Sequence, residues 1–169
     1  MTDPLPIFLI QYSDSGFTNP HEVVRTSPPE DRSNQFSHVG AMFWGFESAR
    51  HRATRIVPGQ EAFRFDSEAH NWMKIGLGSR SLVSRITIST KWYTGNQVPE
   101  VSVVLNDEEK STTVLHRKAL SPDTEHTFEI SPTRASECVI LCYHDGGIAR
   151  INLFGEALTG TEKKSNLLE

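Results

Sequence analysis

The chain has 169 residues, of which 37% are hydrophobic and 22% are charged, and its formal net charge is -4 at pH 7. This size and composition are typical of a single globular domain with one hydrophobic core. The negative charge argues against a nucleic-acid partner, and no apolar run approaches the ~20 residues of a membrane-spanning helix. The apolar segment near the N-terminus has no basic region before it, which argues against a signal peptide.

Short apolar segments separated by turn signals predict strands along most of the chain. The first predicted strand lies in IFLIQYS, residues 7–13. A cluster of aromatic residues around Gly45 favours a strand or a corner there over a helix. The segment HNWMKIGLG predicts a strand that ends at Gly76 or Gly78.

The clearest period-two pattern lies in SLVSRITIST, residues 81–90. It places Leu82, Ile86 and Ile88 on one face of a strand. No segment shows a sustained helical period with caps, so the pattern predicts an all-β fold, an antiparallel β-sandwich. Two further strands are predicted by the same alternation, in EVSVVLND, residues 100–107, and in HTFEIS, residues 126–131.

The stretch CVILCYHDGGIARINLFG predicts a hairpin near the end of the chain. Cys138–Tyr143 and Ile148–Phe154 would be its paired strands, and Asp145-Gly146-Gly147 would supply the positive φ angles of the turn. Arg150 stands early in the second strand, among apolar neighbours. Because a buried guanidinium needs a carboxylate or a ligand to offset its desolvation, we expect a structural pair between Arg150 and Glu47.

The two cysteines, Cys138 and Cys142, lie in one predicted strand. They would face the same side about 13 Å apart, which is too far for a disulfide bond between them. We therefore expect a reduced, cytoplasmic protein. The domain is expected to cover residues 1–157, followed by a polar, flexible tail at residues 158–169.

Standard catalytic signatures are absent from the sequence, which has no phosphate loop, no HExxH, no GxSxG and no zinc-type cysteine pairing. The seven histidines are scattered along the chain, so we expect neither a metal site nor a cofactor. Four local clusters remain as candidates for chemistry: GFESARHR, AHNW, KWYTGNQVP and the stretch from Asp145 to Arg150.

Each cluster has a structural and a functional interpretation. Glu47 and Arg50 could form a local ion pair, which their spacing alone favours, or belong to a site. His70, beside a tryptophan, is either a packed core residue or a general acid or base. Asn96, after a glycine, either begins a turn or presents a donor to a cleft.

Taken together, in this order and at these spacings, the four clusters resemble one repeat of the allantoicase family. YSDSGFTNP near the N-terminus resembles the opening segment of that repeat, and the match covers about residues 10–157. No single motif is specific, but four motifs in register are. The matching segments are WGFESAR at 44–50, HNW before LG within 70–78, ST and YTGN within 89–96, and HDGGIAR at 144–150.

The chain departs from the family pattern mainly at charged positions. Trp44, Asn71 and Ser89 stand where the family has aspartate, and Ala49 replaces one of two paired arginines. Allantoicases carry two such repeats, whereas this sequence has one.

The resemblance implies a jelly-roll sandwich, similar to galactose-binding domains, that hydrolyses allantoate to ureidoglycolate and urea. It implies that Glu47 and His70 are catalytic and share the proton transfers. Arg50 or Arg150 would hold the carboxylate of this small ureide, and Asn96 would orient a ureido carbonyl. The implied substrate-binding residues are Arg50, Asn96, Asp145 and Arg150.

The alternative is a non-catalytic module that retains the sandwich and binds another small polar ligand, a carbohydrate or a protein. Glu47 and Asp145 are the only acids left in the matched motifs, which is few for acid–base catalysis. A single repeat would also expose the face that packs on a second repeat. We therefore expect a homodimer, with Phe63 and Phe65 in the contact.

Overall fold

A computed structural model describes residues 3–14, 18–37, 40–41, 44–49, 54–56, 63–65 and 67–158. Arg50 and the side chains of Phe63 and Phe65 lie outside this description, as do residues 159–169 of the predicted tail. The described chain consists of antiparallel strands and a short 3-10 helix, Pro20–Val24. The strands are β1 (Ile7–Tyr12), β2 (Phe36–Ser37), β3 (Gly40–Ala41), β4 (Phe46–Glu47), β5 (Thr54–Ile56), β6 (Phe63–Phe65), β7 (Asn71–Ser89), β8 (Glu100–Asp107), β9 (Lys110–Ala119), β10 (Glu125–Tyr143), β11 (Gly147–Ile148) and β12 (Arg150–Ala157).

Two strands of 19 residues each, β7 and β10, organise the main sheet. The order is β1-β7-β10-β8-β9, and β12 also pairs with β7. β7 pairs with β1 through residues 73–77 and with β12 through residues 81–89. Register shifts in β10 after Glu129 and after Ala135 mark where this long strand changes its alignment on β7. The predicted all-β antiparallel architecture is therefore confirmed.

The hydrophobic core is formed by the inward-facing side chains of these strands. Val101, Val103 and Leu105 of β8 are buried as their alternation predicts. Cys138 and Cys142 are both buried and both free, as predicted. No helix in the described ranges is long and apolar enough to cross a membrane.

The alternation predicted within β7 needs one correction. Ile86 and Ile88 are buried as expected, but Val83 is fully buried and Leu82 is only half-buried. The pairing of β7 with β12 shifts register next to Gly155. Such a bulge moves the alternation by one residue, so Val83 rather than Leu82 faces the core.

The strand predicted to end at Gly76 or Gly78 instead continues to Ser89. Side-chain atoms at Gly76 would collide with the ring of Phe8, and a Cβ at Gly78 would lie 3.2 Å from Pro6. The two glycines therefore allow β1 to pack closely against β7, and they do not end the strand.

The predicted hairpin between Cys138–Tyr143 and Ile148–Phe154 is wrong. β10 pairs with β7 on one side and with β8 on the other, so both of its edges are occupied here. The returning strand β12 crosses to residues 81–89 of β7 instead. Within the connection, Gly146 has the positive φ expected of a turn residue, at 151°.

Candidate functional site

The candidate site forms where β4 and β11 pair. Glu47 of β4 lies opposite Gly147 of β11. The amide of Ser48 donates to the carbonyl of Gly146 at 3.0 Å, and the amide of Gly146 donates to the Ser48 hydroxyl at 3.1 Å. These bonds hold the segment that carries Glu47 onto the Asp145-Gly146-Gly147 turn.

The loop that carries Asn96 is fixed to the same turn. The amide of Gly147 donates to the carbonyl of Asn96 at 2.9 Å, and the amide of Val98 donates to the carbonyl of Gly147 at 3.0 Å. A Cβ at Gly146 would lie 2.6 Å from the main chain of Gln97. The close approach of loop and turn therefore requires glycine at this position.

Glu47 and Asn96 meet through their side chains at this junction. Nδ2 of Asn96 donates to Oε1 of Glu47 at 3.1 Å. Glu47 is only 7% exposed, and its amide donates to the Thr18 hydroxyl at 3.3 Å. The site therefore contains a buried carboxylate that an amide side chain holds in place.

Tyr93 is buried beside the pair of Glu47 and Asn96. It is fully buried against Gly147, and its hydroxyl donates to the carbonyl of Phe46 at 3.4 Å. Burial, and to a lesser extent the charge of Glu47, raises the pKa of Tyr93, so the phenol stays neutral. The ring of Trp44 packs edge-on against Tyr93, with 5.3 Å between the ring centroids.

Asp145 is the second carboxylate near the site. Nδ2 of the fully buried Asn71 lies 3.4 Å from Oδ1 of Asp145 and 3.4 Å from the carbonyl of His144. An asparagine amide can donate to a carboxylate, whereas an ionised aspartate cannot. Asn71, one of the departures from the family pattern, therefore makes an interaction here that an ionised aspartate could not make.

His70, the other predicted catalytic residue, has different surroundings. It is exposed, its Nδ1 lies 3.0 Å from the carbonyl of Glu68, and its ring lies 5.7 Å from that of Tyr143. No described contact joins His70 to Glu47.

The sequence contained a signal that distinguishes His70 from Asn71. Met73, Ile75 and Leu77 are apolar residues spaced two apart, and all three are buried. Residues two apart in a strand share a face, so Asn71 points inwards with them. Successive residues in a strand face opposite sides, so His70 is predicted to face away from the core.

Arg150, the first residue of β12, is 4% exposed. Its Nε donates to the carbonyl of Ser27 at 2.9 Å, and its Nη1 donates to the carbonyls of Trp44 and Ala149, each at 2.7 Å. The expected structural pair between Arg150 and Glu47 is therefore wrong. Main-chain carbonyls, and not a carboxylate, accept the hydrogen bonds of Arg150.

The structure thus places Glu47, Asn96 and Asp145 around one turn, while His70 and Arg150 make their described contacts elsewhere. Within the described ranges, no group of three or more His, Cys, Asp or Glu residues is placed to hold a metal ion. The residues that sequence reasoning did not assign to the site are Ser48, Asn71 and Tyr93.

Comparisons with known proteins identify the family of the chain. The family model described as the allantoicase repeat matches residues 8–158. A probable allantoicase of Streptomyces coelicolor is 26% identical over 164 residues, which cover 89% of this chain and 43% of the relative. This chain therefore spans less than half the length of that relative.

Solved structures show the same fold. The crystal structure of allantoicase from Saccharomyces cerevisiae superposes with a TM-score of 0.66 at 23% identity, covering 88% of this chain and 40% of that one. CBM32-3 from a family 31 glycoside hydrolase of Clostridium perfringens superposes with a TM-score of 0.57 at 12% identity, covering 89% and 91%. The predicted jelly roll, similar to galactose-binding domains, is confirmed.

Proposed function

The chain belongs to the allantoicase family, and we propose that its Glu47 site binds allantoate and releases urea from it. The observation that carries the proposal is the buried contact between Glu47 and Asn96. Three of the four matched motifs assemble this contact, because the turn at Gly147 binds both partners.

The reaction breaks the bond between the central carbon of allantoate and one ureido nitrogen. Water adds its oxygen to that carbon, and the nitrogen leaves with one proton as urea. We assign both proton transfers to Glu47, which accepts the proton of the attacking water and passes it to the leaving nitrogen. A buried carboxylate suits this task because bulk water does not compete for the proton.

The remaining polar groups recognise the substrate. Asn96 orients Glu47 and presents its amide to a ureido carbonyl. Asp145, oriented by Asn71, accepts a hydrogen bond from a ureido N–H. The substrate carboxylate is assigned to Arg50, which follows the Glu47 segment in the chain. We place the reaction in the cytoplasm, a proposal supported by the two free cysteines.

One observation favours a binding role without hydrolysis. Trp44 stands where the family has an aspartate, and its ring packs on Tyr93. This position therefore contributes an aromatic surface and no acid. Binding of allantoate without urea release would distinguish this second function from the first.

Calorimetric titration with allantoate tests recognition at the site. Asn96→Ala is expected to weaken allantoate binding about tenfold, because it removes one hydrogen bond to a charged group and the restraint on Glu47. Glu129→Gln serves as the control, because Glu129 is an exposed carboxylate of β10. Equal affinities for the wild type and Asn96→Ala would contradict the assignment.

A further inference from the structure

Arg150 lines a cleft that the Glu47 site does not use. The cleft has a volume of about 120 Å³ and lies between the loop at residues 26–29 and parts of β7, β10 and β12. Its polar side chains include Thr87, Ser89 and Asn152, with Glu125 on an exposed position. The lining therefore offers donors and acceptors around a buried guanidinium.

Among the described residues, the guanidinium of Arg150 is hydrogen-bonded only to neutral groups. Its hydrogen bonds run from Nε and Nη1 to three main-chain carbonyls. No carboxylate of the described residues forms a salt bridge with it, and its Nη2 makes no hydrogen bond to them. The guanidinium is 4% exposed and hydrogen-bonded to neutral acceptors, while the longer-range attraction of Glu22 and Glu30 is opposed by the charges of Arg25 and Arg32. It therefore keeps a charge that a bound anion would offset.

Asn152 supplies a second unsatisfied group in the cleft. It lies opposite Thr87 in the pairing of β12 with β7, and both residues line the cleft. Its Oδ1 is buried and accepts no hydrogen bond within the described part of the chain. A buried acceptor of this kind requires a donor from a ligand or from water.

We propose that this cleft binds a short hydroxycarboxylate. The ligand carboxylate accepts hydrogen bonds from Nη2 of Arg150, and the ligand hydroxyl donates to Oδ1 of Asn152. The cleft volume of about 120 Å³ suits a ligand of a few non-hydrogen atoms. Glu125 disfavours a second negative charge, so a monoanion is bound. The site does not depend on the function proposed for Glu47.

Glycolate is the probe, acetate is the matched compound without a hydroxyl group, and chloride at equal ionic strength is the control. Millimolar glycolate is expected to raise the melting temperature more than acetate does, and chloride is expected to leave it unchanged. Asn152→Leu removes the acceptor but keeps the branched shape of the side chain, and it leaves Arg150 and its carbonyl partners in place. This variant is expected to bind glycolate about tenfold more weakly.

Two further measurements complete the test. Glu47→Gln is expected to bind glycolate as the wild type does, which separates this cleft from the Glu47 site. Calorimetric titration of folded Asn152→Leu with glycolate measures binding directly. It shows whether the variant has lost glycolate binding or has lost its structure. No glycolate effect beyond chloride in the wild type, an equal effect of acetate, or unchanged binding by Asn152→Leu would overturn the proposal.

Discussion

Asn96 donates a hydrogen bond to the carboxylate of Glu47 at 3.1 Å, although 49 residues separate the two in the chain. The contact exists because Gly147 pairs with Glu47 in a short β-ladder and also donates its amide to the carbonyl of Asn96. Both partners are thus positioned by main-chain bonds. Main-chain bonds therefore hold the two side chains in a fixed relative position, which is what acid–base chemistry requires of its groups.

Gly146→Ala tests whether the turn holds the site together. The added Cβ would meet the main chain of Gln97 at 2.6 Å in a backbone conformation with φ of 151°. We expect a loss of about 1–3 kcal/mol in the free energy of unfolding, measured by chemical denaturation. Gly95→Ala is the matched control, since a Cβ there has no atom within 4 Å. Equal losses for the two variants would contradict the role of the turn.

Asp107→Asn tests the ion pair between Arg80, in the middle of β7, and Asp107, at the end of β8. Nε and Nη2 of Arg80 each donate to the Asp107 carboxylate at 2.8 Å, and this lowers the pKa of Asp107 from 3.8. A lowered pKa in the folded state gives stability that is present above pH 3.8 and lost as the pH falls through the folded value. The variant is expected to lose about 1–3 kcal/mol at neutral pH and less in acid.

Acid titrations of the melting temperature provide the comparison for this ion pair. The difference between wild type and Asp107→Asn should shrink as the pH falls below 3.8. Glu129→Gln, which changes an exposed carboxylate on β10, is the control. A difference in melting temperature that stays constant down to the lowest pH would show that the ion pair between Arg80 and Asp107 does not cause it.

Arg150→Leu and Glu47→Gln separate two explanations of the buried arginine. The first variant leaves the carbonyls of Ser27, Trp44 and Ala149 without their donor, and we expect it to cost roughly 2–5 kcal/mol. Glu47→Gln leaves those bonds intact and should cost about 1 kcal/mol or less. Denaturant unfolding measures the loss of stability in both variants. A loss in Glu47→Gln as large as that in Arg150→Leu would indicate that Glu47 and Arg150 form a buried pair after all.

Much of the fold was predictable because the alternation of apolar and polar residues along a strand indicates which side chains are buried. Val101, Val103 and Leu105 were assigned to the core by spacing alone, and they lie there. Strand pairing was not predictable in the same way. Cys138–Tyr143 and Ile148–Phe154 look like a hairpin, but β7 and β8 already occupy both edges of β10. Local sequence does not show which strand edges remain open.

The candidate site was predictable in part, through the four matched motifs. Glu47, Asn96 and Asp145 lie around the Gly146 turn because the matched motifs converge there, and their roles stay predictions. The acceptors of Arg150 were missed for a physical reason. They are main-chain carbonyls, which every residue carries, so no side-chain pattern indicates them.

Release of urea from allantoate by the purified chain tests the central claim most directly. The wild type is expected to release urea in proportion to protein concentration, and Glu47→Gln is expected to lower the rate by about 100-fold or more. Glu129→Gln should release urea at the wild-type rate. Urea release that is equal in the wild type and Glu47→Gln would contradict the account, as would no release by a wild-type chain saturated with allantoate.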